Sequence, residues 1–170
     1  MKPIEKDKLN QLLQIIQNEP GQRIVHFADD NHTFIPHLSD FCKKQETTYY
    51  LHCTTKLSYD RAINAYDAQY VSHFNLKRPR YKIQGIEYDY VISTLNFKQE
   101  DKNDFLKKCY DIIKTAGNII IFIPNTTYAQ RDEWKTLLEE HYYVSTTIID
   151  DLFTDIDVVI SKRMHGWGNK

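Results

Sequence analysis

The sequence is short of glycine and cysteine, carries almost no net charge and contains no long apolar run. Each shortage excludes something. With 5 glycines in 170 residues, and none between Gly21 and Gly85, there is no G-x-G-x-x-G turn and no P-loop to cradle a phosphate. The 3 cysteines, Cys42, Cys53 and Cys109, are odd in number and form no C-x-x-C pair, which argues against a disulfide framework or a thiolate zinc site. A reducing cytoplasm is therefore the expected compartment. Lys plus Arg at 22 against Asp plus Glu at 23 leave a formal charge of -1, so no global basic field points to nucleic acid or an anionic membrane. The first residues, MKPIEKDKLNQLL, are charged and amphipathic with no signal-like apolar core, and no segment approaches the roughly 20 apolar residues of a membrane span.

What is present is an alternation of strand-like and helix-like segments. At 170 residues one domain is expected, with an N-terminal helix over 1–20 and a tail over 163–170. Leu9, Leu12, Leu13 and Ile16 recur at helical spacing between Ile4 and Asn18, and Glu19-Pro20-Gly21 stops the helix. The stretch RIVHFADDNHTF, Arg23 to Phe34, reads as a buried strand running into a polar loop, where Asp29, Asp30, Asn31 and His32 supply turn formers and a helix cap. A helix follows to Lys44, with Phe34, Leu38, Phe41 and Cys42 inward and Pro36 in its first turn.

Thr47 to Thr54 is the second strand, Leu57 to Gln69 a helix with Leu57, Ala62, Ile63, Ala65 and Tyr66 in pattern, and Tyr70 to Leu76 a third strand. Tyr88 to Leu95 makes the fourth. Asp101 or Asn103 then caps a helix burying Phe105, Leu106, Cys109, Ile112 and Ile113, with Gly117 as its C-terminal cap. Asn118 to Pro124, NIIIFIP, is the most apolar run and reads as a central strand, followed by a helix from Tyr128 to His141 capped by Asn125 or Thr126. Tyr143 to Asp150 and Asp157 to Lys162 have no helix between them and should pair as an antiparallel hairpin. The fold class expected is α/β, a doubly wound Rossmann-like sheet of about seven strands, mostly parallel with a C-terminal antiparallel hairpin.

This order of elements resembles the class I S-adenosylmethionine-dependent methyltransferases. YDYVISTLNF looks like that family's fourth strand and the motif after it. FLKKCYDIIKTAGNIIIFIP looks like its helix, glycine turn and fifth strand, with Lys114-Thr115-Ala116-Gly117 in place of a lysine-x-Gly-Gly pattern. The resemblance implies S-adenosylmethionine as cofactor. It also implies contacts from Phe27, Ala28, Asp29 and Asp30 at the end of the first strand, His52 and Cys53 at the end of the second, and Asn96 after the fourth. Asp29 is the nearest match to the family's acidic residue, with Asp30 as the alternative. The chain departs from the pattern twice: no glycine-rich turn follows that acid, and Leu51-His52-Cys53-Thr54 lacks the carboxylate that holds the ribose hydroxyls.

Each candidate has a plainer reading beside it. Asp29 and Asp30 serve equally as cap and turn residues. Asn96 suits a turn, and Ser72 and His73 approach the site only if the third strand is placed as expected. His26, His32 and His37 lack a shared helical face, so no metal site is expected. No cysteine has a partnered base, and no catalytic residue is named. Lys77, Arg78, Arg80 and Lys82, with Tyr81 and Phe74, form a basic and aromatic patch that suits a protein or RNA partner, or simply a solvated loop. Trp167 in the tail suits a cover for the crevice or a partner contact. Two functions follow: a divergent methyltransferase of unknown acceptor, or a methyltransferase-like scaffold that has lost catalysis and binds protein or RNA.

Overall fold

The computed structural model of the chain describes residues 4–29, 33–124 and 126–164. The elements in order are α1 (Lys6–Leu13), β1 (Arg23–Ala28), α2 (Ile35–Lys44), β2 (Thr48–Cys53), α3 (Lys56–Ala65), a short 3-10 helix (Ala68–Tyr70), β3 (Val71–His73), β4 (Tyr88–Ser93), α4 (Gln99–Tyr110), β5 (Ile113–Pro124), α5 (Tyr128–Glu140), β6 (Tyr143–Ile149) and β7 (Ile156–Arg163). The strands form one seven-stranded sheet in the order β3-β2-β1-β4-β5-β7-β6. Pairings from β3 through β5 are parallel, and β7 runs antiparallel to both β5 and β6. The hairpin expected from the missing helix therefore forms, with β7 slotted beside β5.

Helices cover both faces, which explains why β1 and β5 are apolar without alternation. On one face Val25, Phe27, Val91, Ile119 and Ile121 pack on Phe105 and Leu106 of α4 and on Trp134 and Leu138 of α5. On the other, Ile24, Ile92, Ile120 and Phe122 meet Leu9, Leu12 and Leu13 of α1 and Phe34, Leu38 and Cys42 around α2. Each such aliphatic or aromatic side chain contributes about 1.5–3 kcal/mol by leaving water.

Several local expectations are corrected. Gly117 does not cap α4, which ends at Tyr110; it lies inside β5. There the β4–β5 register slips, with Tyr88 opposite Ile113 and Tyr90 opposite Asn118, and Ala116 takes up φ 67°. A Cβ on Gly117 would meet the Ile113 side chain at 2.6 Å and the Asp89 carbonyl at 2.9 Å, so close approach rather than a left-handed turn requires glycine. The N-cap of α4 is Lys98, without a side-chain bond, and Asp101 instead pairs with Lys77 at 2.9 Å. The cap of α5 is Thr127, in a reciprocal capping box with Gln130. Thr126 gives its N–H and hydroxyl to the buried Asp157 carboxylate, and Asn125 lies outside the described residues.

Helix α1 stops at Leu13, although Ile16 is still buried beyond it. The third strand is only Val71–His73, and Leu57 is exposed because α3 turns Ser58 and Ala62 inward. The cap position of α2 is Phe34, with no side-chain bond; Asp30, Asn31 and His32 lie outside the described residues, as does Trp167.

Candidate functional site

In a doubly wound sheet the ligand crevice opens at the carboxyl ends of the strands where strand order reverses. Here that point lies between β1 and its two parallel neighbours, β2 and β4. Asp29 is the residue immediately after β1. Its Oδ2 accepts the Asn96 backbone N–H at 2.9 Å, tying the loop after β4 to the end of β1. On the other side the Ala28 carbonyl accepts both the N–H and the hydroxyl of Thr54, at 2.9 and 3.3 Å. Thr54 thus stands level with Asp29, and Thr55 caps α3 by accepting the Ser58 N–H. Asp29, Asn96, Phe34, Thr94 and Pro124 enclose a cavity of about 70 Å³.

Of the residues expected at the site, Asp29 and Asn96 meet at this crest. Phe27, Ala28, His52 and Cys53 are buried. Phe27 packs edge-on against Phe74 and Phe105. His52 faces the same core layer, stacked on Phe74 at 4.5 Å with its Nδ1 2.6 Å from the Ser72 hydroxyl. Burial, and then the charge of Arg78, push the His52 imidazole down to about 4. Period-two alternation along β2 explains the placement: Leu51 and Cys53 join one layer and His52 the other. Asp30 lies outside the described residues.

Sequence reasoning missed a buried relay at the same point. His26 in mid-β1 has Nδ1 2.6 Å from the Tyr49 hydroxyl and Nε2 2.8 Å from the Thr94 hydroxyl. Burial, and then the positive charge on His52, hold the His26 imidazole down at about 3, so it is neutral. A histidine inside an otherwise apolar buried strand was the available signal, since such a group needs hydrogen-bonding partners. Both ring nitrogens are occupied by hydroxyls. Among the described residues no group of three or more His, Cys, Asp or Glu side chains is placed to hold a metal.

The thiols are poor nucleophiles. Burial pushes Cys42 up to about 12 and holds Cys109 well above its ordinary value. In the basic loop, Lys77 is paired with Asp101 and the Arg78 guanidinium lies 5.0 Å from the Phe74 ring centre, while Arg80 and Lys82 are exposed. His73 is also exposed and stacks on Tyr59. No described helix is long and apolar enough to cross a membrane.

No protein-family model matches the sequence, and no curated protein does. Solved structures do. A TehB-like SAM-dependent methyltransferase from Corynebacterium glutamicum ATCC 13032 Kitasato aligns over 92% of this chain and 87% of its own, at TM-score 0.70 and 11% identity. The CurJ carbon methyltransferase aligns over 92% of this chain, which spans 52% of that protein's length, at TM-score 0.69 and 12% identity. Geranyl diphosphate C-methyltransferase from Streptomyces coelicolor A3(2), solved with Mg2+, geranyl diphosphate and S-adenosyl-L-homocysteine, aligns over 93% of this chain and 80% of its own, at TM-score 0.63 and 10% identity. With this strand order, and with likeness at this level of identity, the chain has the fold of the class I S-adenosylmethionine-dependent methyltransferases.

Proposed function

We propose that the chain is a methyltransferase that binds S-adenosylmethionine at the crest of β1, β2 and β4 and acts on an unassigned acceptor, as a single domain in the cytoplasm. The observation that carries this reading is the Asp29 carboxylate at the strand reversal, locked to the Asn96 amide. A carboxylate at that edge suits the ammonium of the cofactor's methionine part, and the exposed Asn96 side chain beside it offers a donor and an acceptor for hydroxyls. At the end of β2 the neutral Thr54 stands where a carboxylate would grip the ribose, and its hydroxyl is already given to the Ala28 carbonyl. Affinity is therefore modest.

When bound, the cofactor supplies a sulfonium methyl open to in-line attack. The chain's contribution is positioning. Asp29 fixes the loop after β4, Thr94 and Thr54 hang both neighbouring loops from β1, and Phe34 and Phe122 provide an apolar wall that excludes water. Calorimetric titration with S-adenosylmethionine and S-adenosylhomocysteine tests the reading. Wild-type protein binds in the micromolar range, about 8 kcal/mol, and Asp29→Ala weakens binding about tenfold. Absence of binding to the wild type refutes it.

A second reading rests on Thr54 and on the exposed Arg80 and Lys82: a subunit of the same fold that has lost catalysis and captures protein or RNA through Lys77, Arg78, Arg80 and Lys82. Under it, a single-stranded RNA oligomer shifts in a low-salt gel with the wild type and not with Arg80→Glu/Lys82→Glu. Equal mobility with both proteins removes the RNA branch.

A further inference from the structure

A second pocket lies at the opposite end of β2 from the crest. It encloses about 290 Å³ where β2 and β3 begin and where α2 and α3 end, and its walls include Tyr49, Tyr66, Tyr70 and Val71, with Asp67 and Lys43 beside them. That volume sits just below the ~300–1,000 Å³ usual for ligand pockets, so it suits a molecule of a few carbons rather than a nucleotide.

Three independent features give this pocket one electrostatic sign. Its aromatic walls are tyrosines, whose ring faces attract cations. The carboxyl-terminal ends of two helices meet there, each carrying partial negative charge. Asp67 is exposed, accepts only the Gln69 N–H among the bonds given for it, and has no ion-pair partner among the described residues. The phenols stay neutral: burial raises Tyr49 well above its ordinary value, and burial and then the Asp40 carboxylate raise Tyr66. The wall is also pre-set, because the Tyr49 hydroxyl is held by His26 at 2.6 Å and the Tyr70 ring packs edge-on against Tyr50 at 5.3 Å. One group opposes: Lys43, in the last turn of α2, puts an exposed ammonium beside the opening.

We propose that this pocket binds a small organic cation, an alkylated ammonium held between tyrosine faces and neutralised by Asp67. The test uses choline and its neutral carbon isostere, followed by saturation-transfer NMR and calorimetry on the full chain. Choline binds saturably, and the isostere binds at least about fivefold more weakly. Asp67→Asn weakens choline binding about threefold and Lys43→Gln strengthens it by about twofold, both being exposed positions where folding is undisturbed. Tyr66→Leu, checked for folding by circular dichroism, abolishes it. Equal binding of choline and the isostere overturns the proposal, as does an unsaturable choline signal, or binding indifferent to both charge changes. None of these residues contacts the crest, so the outcome is independent of S-adenosylmethionine binding.

Discussion

Acidification should destabilise this fold through two histidines, well before its carboxylates protonate. His26 and His52 are both buried, and burial lowers them from the ordinary 6.5 to about 3 and about 4. Because the folded values are depressed, the unfolded chain takes up protons first as pH falls. The stability held by two neutral imidazoles is complete above 6.5 and is lost progressively down to the folded values. At about pH 5, some 1.5 units below the unfolded value, each histidine costs about 2 kcal/mol and the pair about 4 kcal/mol. That is a third or more of a typical domain's stability of about 5–15 kcal/mol. His141 is lowered in the same sense, by burial first, but is more exposed and adds little. Glu5 and Glu133, whose values are lowered chiefly by side-chain hydrogen bonds, lose their contribution only below their ordinary 4.5, outside this window. Urea unfolding at about pH 7.5 and about pH 5 measures the difference at constant slope. His26→Gln and His52→Gln lower stability at neutral pH, yet each halves the loss on acidification. A wild type equally stable at both pH values, or variants that keep the full wild-type loss, would refute the reasoning.

Two further perturbations test the packing. Asp157 is 1% exposed and its carboxylate accepts the Thr126 N–H and hydroxyl at 3.1 and 3.0 Å, with Arg131 at 3.5 Å. Asp157→Ala strands these donors and costs about 3 kcal/mol by denaturant unfolding, against a negligible change if the cluster is ornamental. Gly117→Ala drives a methyl to 2.6 Å from Ile113 and 2.9 Å from the Asp89 carbonyl, and costs about 2 kcal/mol by overpacking; an unchanged midpoint shows that β5 relaxes freely there.

The strands were legible because burial on both faces leaves a one-dimensional trace: NIIIFIP and RIVHFA need no partner to be recognised. The hairpin was legible from what is missing between β6 and β7. Caps were not. Asp101, Asn103 and Thr126 are all good capping residues by type, but Asp101 is spent on Lys77 and Thr126 on Asp157, partners 24 and 31 residues away. Gly117 was misread for a similar reason: a glycine after a helical pattern looks the same whether it turns the chain or makes room for a neighbouring carbonyl. At the site, Asp29 could be found by its position after a strand. The relay could not, since Tyr49 and Thr94 lie 23 and 68 residues from His26 and only the parallel register joins them.

That relay bears on how the crest holds its shape without glycines. Thr94 is fastened twice to β1: its N–H donates to the Phe27 carbonyl at 3.1 Å and its hydroxyl meets His26 Nε2 at 2.8 Å. A neutral imidazole has one donor and one acceptor nitrogen. The Tyr49 phenol, the more acidic of the two hydroxyls, is the better donor and takes the acceptor nitrogen, Nδ1. Nε2–H then donates to Thr94, whose own hydroxyl proton is left for another acceptor in the crest cavity it lines. Protonating His26 removes the acceptor on which Tyr49 depends and places a charge beneath that cavity. The acid step that destabilises the fold therefore acts on the segment leading to Asn96, two residues beyond Thr94, so S-adenosylmethionine affinity and stability should fall together as pH drops below 6.5.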